Sequence, residues 1–316
     1  MFFVHLSGIA APMIKAWLDG GHRISAIVVY RQKGPRVLSE PVQWLNLQWS
    51  VMRHLRRHRI PVIRPEPPLD WQDLYRKLAA DAPDVAISYA FMRLIPDGLL
   101  GLFPRGALNF HPALLPHYRG PQPIQWLAID DAMERSGGVT LHEMTNAFDE
   151  GAIVAQAAMS DVSGTTDPSD FVADALSCMT RHVIPGYCAG EIQAWPQPPG
   201  TYPYAHYILP KLVVQPRWTR KYLQVLSSAI RKRPGVGINV SGRNIRLLTE
   251  ARALGSPNGK PATVRWRTVE FDLSDQRVVY WRHTWLNKFI SYFRTFGRRF
   301  SQPAREVPIR LGPFDP

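Results

Sequence analysis

The sequence predicts an α/β protein: a doubly wound, mostly parallel sheet followed by a smaller, β-rich and basic C-terminal domain. Three observations carry this prediction. Across residues 1–160, short apolar runs alternate with segments of helical spacing, which is the rhythm of β-α-β units. After Trp195 comes a stretch holding Pro196, Pro198, Pro199, Pro203 and Pro210. Beyond it the chain reads as short strands, and its charge changes sign. Residues 1–200 hold 17 Lys and Arg against 19 Asp and Glu, whereas residues 201–316 hold 21 against 6, a net of +15. The domain boundaries expected from these shifts are 1–195, a linker over 196–210, and 211–316, with a barrel among the forms open to the last.

The elements follow in order. FFVHL at the start is a buried strand, and Ser7-Gly8-Ile9-Ala10 is a small-residue loop after it. PMIKAWLDGG reads as a helix, with Pro12 near its first turn and Gly20-Gly21 at its end, each residue type at the end it favours. ISAIVVY is the next strand. Val42, Leu45, Trp49, Met52 and Leu55 then recur at helical spacing. IPVI and DVAISY are strands around a helix over 70–81, and GALNFH is a further strand. Gly137–His142 and Ala152–Ala155 predict two more, joined by the loop 143–151. Asp167-Pro168-Ser169-Asp170 is a helix start with an N-cap, proline at the first turn and an acid behind it, and that helix is expected to reach about Pro185. In the last third, INVSGRNIRLL is a hairpin candidate, with strand-like runs at TVRWRTVEF and RVVYW. Trp285, Phe289, Phe293, Phe296 and Phe300 would share one helical face, with Lys288, Arg294, Arg298 and Arg299 around it.

Composition narrows the class. Apolar residues make up 45% of the 316, enough for a sizeable core. The two cysteines, Cys178 and Cys188, fall in a stretch read as helix and cannot make a disulfide framework, which points to a reducing, cytoplasmic compartment. The N-terminal run has no basic region before it and reads as a strand, not a signal peptide. No window approaches the ~18 uncharged apolar residues of a membrane span. The basic last third favours polyanionic partners such as RNA, nucleotides or anionic lipid headgroups.

Chemistry concentrates in Asn109-Phe110-His111-Pro112. On a strand, residues two apart face the same way, so Asn109 and His111 share one face while Leu108 and Phe110 take the other. Pro112 has no N–H for the ladder and ends the strand. An amide and an imidazole are thereby presented at a strand's carboxyl end, where doubly wound sheets bind ligands. Asp149, in the loop 145–151, is a third polar group. Such a set can serve an amine attacking a carbonyl carbon. The amide donates to the developing oxyanion, the imidazole moves the proton, and the carboxylate orients the ring and stabilises its charged form. Neither a covalent intermediate nor a metal is required.

The stretch from Asn109 to Gly120 resembles the Asn-x-His-Pro-Ser-Leu-Leu-Pro…Arg-Gly signature of folate-dependent formyltransferases. Gly138-Val139-Thr140 followed by Asp149-Glu150-Gly151 resembles that family's second block, and Phe91-Met92-Arg93-Leu94-Ile95-Pro96 is similar to the segment bordering its folate pocket. The likeness spans roughly residues 1–195. It implies a formyltransferase Rossmann-like fold, with Asn109, His111 and Asp149 as the catalytic residues and 10-formyltetrahydrofolate as the formyl donor. It further implies that Tyr89, Phe91, Met92, Arg93, Leu94, Leu114, Thr145 and Asn146 hold the folate, through backbone groups and the apolar walls of Met92, Leu94 and Leu114. Ser7, Gly8, Ile9 and Arg119 would meet the substrate. In one departure, Ala113 stands where the family carries serine, removing a hydroxyl that could bond the loop.

Members of this family differ in the amine they formylate. The first loop here lacks the glycine-rich phosphate cradle of the purine-pathway enzyme, and Pro12 removes a backbone donor. Formyltetrahydrofolate hydrolases share the Asn, His and Asp but usually carry a regulatory domain ahead of the catalytic one, whereas this chain starts at its first strand. Tyr118-Arg119-Gly120-Pro121 and the run Gly151–Gln156 look closest to sugar-amine formyltransferases, including those acting on nucleotide-linked sugars. Length and the basic last third resemble methionyl-tRNA formyltransferase, with phosphates suited to the +15 region. A small amino substrate is the favoured expectation and tRNA the alternative. A hydrolase or a non-catalytic folate-binding module stands behind both.

Overall fold

The computed structural model describes residues 1–4, 9–29, 55–65, 69–91, 93–162, 167–230, 235–284, 287 and 304–313. The expected helix over 285–300, apart from residue 287, lies outside these residues, as do most of the helix expected within 41–58 and the positions Ser7, Gly8 and Met92.

The chain divides into two compact units. The first comprises Met1–Pro123, Glu134–Ala205 and Pro303–Pro316, and the second Ile124–Met133 and His206–Gln302. The first unit is built on a seven-stranded sheet. Its strands are β1 (Phe2–Val4), β2 (Ile27–Val28), β3 (Val62–Ile63), β4 (Ala86–Tyr89), β5 (Ala107–His111), β6 (Gly138–Glu143) and β7 (Ile153–Ala158), in the spatial order β3-β2-β1-β4-β5-β6-β7. The first five are parallel and the last two antiparallel. Strand β1 is an interior strand and wholly buried, and it is accordingly apolar on both faces, as parallel strands covered by helices must be. The chain leaves β1 toward β2 and β3 on one side, then returns to build β4 and β5 on the other. That reversal is a topological switch point, with the carboxyl ends of β1, β4 and β5 around it.

Helix α1 (Ala10–Asp19) begins two residues ahead of Pro12 and buries Ala10, Met13, Ile14, Ala16 and Trp17. It closes with Gly20 N–H on the Ala16 carbonyl, and Gly21 follows at φ 78°. Helix α2 (Trp71–Ala79) is capped by the Asp70 carboxylate, which accepts from the Gln72 and Asp73 amides at 2.9 and 3.0 Å, and it buries Leu74 and Leu78 one turn apart. Phe3, Leu74, Leu78, Phe91, Ile95 and Phe103 share one core cluster. After the short helices α3 (Asp97–Leu100), α4 (Pro123–Ile129) and α5 (Met133–Ser136), α6 runs over Pro168–His182 and packs on α1. Asp167 caps α6 as its sequence announces, accepting from Ser169 N–H at 2.8 Å. The helix stops at His182, and α7 (Ile184–Ala189) restarts after one residue. Pro185 lacks the N–H that would bond back to Arg181, so the single helix expected to Pro185 is split.

Strand β7 is at the sheet edge, and its N–H and C=O groups are covered from two places. Ile153 pairs with Trp195 and Gln156 with Arg310, whose guanidinium binds Asp161 at 2.6 Å. A covered edge does not recruit foreign strands. The second unit carries β8 (Leu212–Val213), α8 (Arg220–Ala229), β9 (Val236–Val240), β10 (Arg243–Gly255), β11 (Thr263–Val264), β12 (Thr268–Asp272) and β13 (Arg277–Arg282), with sheet order β11-β12-β13-β10-β9-β8. The β9–β10 hairpin turns at Ser241-Gly242, both at positive φ (51° and 77°), the geometry that matches strand twist in two-residue loops. Strand β10 pairs first with β9 and then, past register shifts, with β13. Among the described residues, β8 and β11 end the sheet without pairing with each other.

Candidate active site

Strand β5 presents Asn109 and His111 on one face, and the antiparallel neighbour β6 places His142 opposite Asn109 and Thr140 opposite His111. Period two on both strands therefore puts four polar side chains on one patch of sheet. Asp149 enters from the loop after β6, at φ 57°, a left-handed conformation that aspartate tolerates better than most side chains.

These groups converge on one atom. Asp149 Oδ1 lies 3.4 Å from His111 Nδ1, 3.5 Å from Asn109 Nδ2 and 3.5 Å from His142 Nε2. Its other oxygen, Oδ2, accepts from the Gly120 amide at 2.9 Å. The carboxylate is largely buried. Burial alone would raise its pKa, but the His111 ring beside it, and after it the His142 ring, outweigh burial and hold the group well below the ordinary carboxylate range. His111 is itself buried, and its Nε2 lies 2.8 Å from the Tyr118 carbonyl oxygen. A carbonyl can only accept, so Nε2 carries hydrogen and Nδ1 is the nitrogen that faces Asp149.

Three further side chains support this cluster. Gln197 Nε2 donates to the Asp149 and Gly151 carbonyls, both at 2.8 Å, while its Oε1 accepts from Arg119 Nε and Nη2 at 3.1 and 2.7 Å. One amide thus ties the Asp149 loop to the loop after β5. Thr140 Oγ1 donates to the Ala113 carbonyl at 2.7 Å and accepts from Leu115 N–H at 3.0 Å, with Gln156 Nε2 adding bonds to Thr140 and to the Leu115 carbonyl. The loop that carries Ala113 is thus fixed by a hydroxyl from β6. Residues 203–205, within the stretch expected as a linker, lie along the site loop: Tyr118 N–H donates to Pro203 and Ala205 N–H to Arg119.

The glycines of the second block have steric reasons. A Cβ on Gly151 would come within 1.9 Å of the Glu143 carbonyl oxygen, and one on Gly138 within 2.4 Å of the Ala157 oxygen and 2.6 Å of Leu114. Only a residue without a side chain lets these backbones meet.

The remaining expected site residues fall around the switch point. Tyr89 ends β4 and is buried. Phe91 is a core residue whose ring meets Phe3 at 5.4 Å and Trp71 at 6.5 Å, so its backbone is what a ligand could reach. Between them Ala90 turns at φ 54°. Arg93 and Leu94 are exposed, and Leu114 is half-buried. Thr145 and Asn146 are exposed, with Thr145 Oγ1 accepting from Ala147 N–H and Asn146 Nδ2 reaching Asp97 at 3.5 Å. Ile9 occupies the N-cap of α1. Arg119 Nη1 lies 3.5 Å from Glu150 as well as bonding Gln197. Sequence reasoning passed over His142 and Gln197. The same period-two rule singles out His142 two residues after Thr140, once its strand is paired with β5. No comparable signal marks Gln197.

Comparison with known proteins adds a second line. Residues 12–175, just over half of the chain, match the Formyl transferase family. A curated relative, the methionyl-tRNA formyltransferase of Halalkalibacterium halodurans, is 28% identical over 200 residues, which cover 62% of this chain and 60% of that enzyme. Among solved structures, HypX from Aquifex aeolicus in complex with tetrahydrofolic acid superposes at a TM-score of 0.59 with 17% identity, over 88% of this chain and 43% of that one. An N-formyltransferase from Helicobacter canadensis, in complex with folinic acid and dTDP-3-aminofucose, also gives 0.59, with 15% identity, over 89% of this chain and 98% of that one. At such identities the structural likeness is one of fold, and it agrees with the sequence match: the chain belongs to the formyl transferase family.

Proposed function

We propose that this protein transfers the formyl group of 10-formyltetrahydrofolate to the nitrogen of a primary amine, with Asn109, His111 and Asp149 as its catalytic residues. The observation that carries this reading is the convergence of the Asn109 amide and the His111 ring on Asp149 Oδ1, within 3.5 Å, at the strand ends of the switch point. The family match and the folate-type ligands of the HypX and Helicobacter canadensis structures support a folate donor. The residues here fit such a ligand. The turn at Ala90 offers backbone polar groups to a flat heterocycle, and exposed Leu94 and half-buried Leu114 offer apolar surface.

The folate supplies the formyl group, and the chain's residues manage charge and protons. The amine nitrogen bonds to the formyl carbon, the carbon's bond to the folate nitrogen breaks, and the amine's proton ends on that leaving nitrogen. Asn109 donates an N–H to the carbonyl oxygen while it is negative. His111 takes the amine's proton at Nδ1 and returns it to the leaving nitrogen, while Nε2 stays anchored on Tyr118. Asp149 stabilises the ring during the interval in which it is charged. Removing an oxyanion donor typically costs about 2.7–4 kcal/mol of transition-state stabilisation, and the proton-transfer role is worth about 10²–10⁴ in rate.

A small amine, of the nucleotide-linked amino-sugar type, is the favoured acceptor. It is supported by the resemblance at residues 118–121 and 151–156 and by the Helicobacter canadensis likeness across both units. The tRNA reading is supported by the methionyl-tRNA formyltransferase relative and by the +15 charge of residues 201–316. The deciding experiment follows tetrahydrofolate release from 10-formyltetrahydrofolate with amino-sugar nucleotides and with charged initiator tRNA in parallel. Acceptor-dependent release, lost in His111→Asn, is expected. Equal release without any amine would make the protein a hydrolase, and tight folate binding with no release would make it a binding module.

A further inference from the structure

We infer that His142 is a positioning residue that fixes which way the Asn109 amide faces, by accepting a hydrogen bond at Nε2 while its own proton sits on Nδ1. The inference deepens the formyl-transfer reading and rests on it for its catalytic consequence. His142 is buried, on β6, directly across from Asn109. Its Nδ1 lies 2.8 Å from the Glu143 carbonyl oxygen and its Nε2 lies 3.1 Å from Asn109 Nδ2. The carbonyl can only accept, so Nδ1 is the protonated nitrogen.

The orientation of Asn109 is settled by its other neighbour. Asp149 Oδ1 lies 3.5 Å from the amide position assigned to Nδ2. An oxygen placed there would face a carboxylate, acceptor against acceptor. The NH₂ group is therefore the one that points into the cluster, and at 3.1 Å His142 Nε2 must be its acceptor. A proton on Nε2 would set two donors against each other at the shorter contact, for the sake of a longer 3.5 Å approach to Asp149. The arrangement divides the labour of the amide. One N–H is held by His142, and the other, directed only loosely at Asp149, is free to turn to the oxyanion of the reaction. Glu143, which supplies the anchoring carbonyl, is itself held by the Tyr187 hydroxyl at 2.6 Å.

Two substitutions and one spectrum test this on the full chain. In ¹⁵N-histidine-labelled protein, long-range ¹H–¹⁵N correlation should show His142 with hydrogen on Nδ1 and a bare Nε2, and His111 with hydrogen on Nε2. His142 with hydrogen on Nε2 would overturn the inference whatever the activity. His142→Phe keeps an aromatic ring without an acceptor and should lower kcat for formyl transfer about tenfold to a hundredfold, short of the 10²–10³ typical of losing the donor itself, with the KM for folate changed less than about twofold. His142→Gln restores an acceptor oxygen and should recover most of that loss, an outcome that a purely packing role does not produce. Equal defects in both variants, or none in either, would overturn the inference while wild-type transfer leaves the functional reading standing. A wild type that transfers to no acceptor would instead sink the functional reading, and the ring-nitrogen spectrum would still decide the hydrogen bond.

Discussion

Asp149 is held in a left-handed backbone conformation, largely buried, with Asn109, His111, His142 and Gly120 nitrogens around its carboxylate. A conformation of that kind costs on the order of 1–3 kcal/mol and persists where the surroundings over-determine it. Here Gln197 grips the Asp149 and Gly151 carbonyls. Because His111 keeps the Asp149 pKa depressed against the opposing effect of burial, its contribution to stability is fully present above the unfolded carboxylate pKa, about 3.9, and is lost as pH falls through the folded value. Asp149→Asn should therefore be less stable than wild type at pH 7, and the gap should narrow on acidification below about pH 4. Equal chemical denaturation midpoints for the two proteins across that range would contradict this. The same depression keeps Asp149 ionised at every pH where transfer is measured, so Asp149 contributes no limb to the rate profile above about pH 5. Gln197→Ala should retain the fold and lower kcat/KM for formyl transfer about tenfold or more, since small misplacements of a catalytic group are expensive, and a steady-state assay reads that directly.

At the level of elements, Gly151 and Asp167 make contrasting predictions. Gly151→Ala forces a methyl group against the Glu143 carbonyl, so β6 and the Asp149 loop must separate. Overpacking of this kind costs about 1–3 kcal/mol or more, and both the melting temperature and transfer should fall together. Asp167→Ala removes only a helix cap and should cost about 0.5–2 kcal/mol with kcat unchanged. A denaturant titration and a rate measurement on each variant separate the two. The Asp167 cap, the alternation of β1, β4 and β5, and the shared face of Asn109 and His111 were all legible in the sequence, because each depends on neighbours a few residues away. His142 obeys the same period-two rule, yet it was one of ten histidines until the antiparallel register set it opposite Asn109. Register between β5 and β6 is fixed by long-range pairing that local spacing does not encode. Gln197 was hidden for a different reason: it sits among prolines that read as a connector, and its value lies in distant partners, the carbonyls of residues 149 and 151 and the Arg119 guanidinium. The resemblance to formyltransferases supplied the pairing of Asp149 with Asn109 and His111, which spacing along the chain could not.

On the scale of the molecule, two units carry separate cores. The described residues of the second form a six-stranded sheet, backed by a cluster that includes Leu223, Leu226, Val236, Leu247, Phe271 and Tyr280. Residues 124–133 belong to the second unit and the C-terminal residues to the first, so the chain crosses between units more often than the proline-rich stretch alone would suggest. The surplus positive charge of residues 201–316 makes ionic strength a discriminating variable. Binding of a tRNA that contacts six to ten phosphates should weaken by about 10³–10⁵ between 50 and 200 mM salt, whereas a sugar nucleotide with two phosphates should change far less. The most direct test of the central claim, that the Asn109–His111–Asp149 cluster carries formyl transfer to an amine, is to follow the label from 10-formyltetrahydrofolate labelled at its formyl carbon. With wild type and a competent amine, the label should appear on the amine, and His111→Asn should lower that rate by about 10²–10⁴. Label released as formate at the same rate with and without amine, or a His111→Asn rate equal to that of wild type, would contradict it.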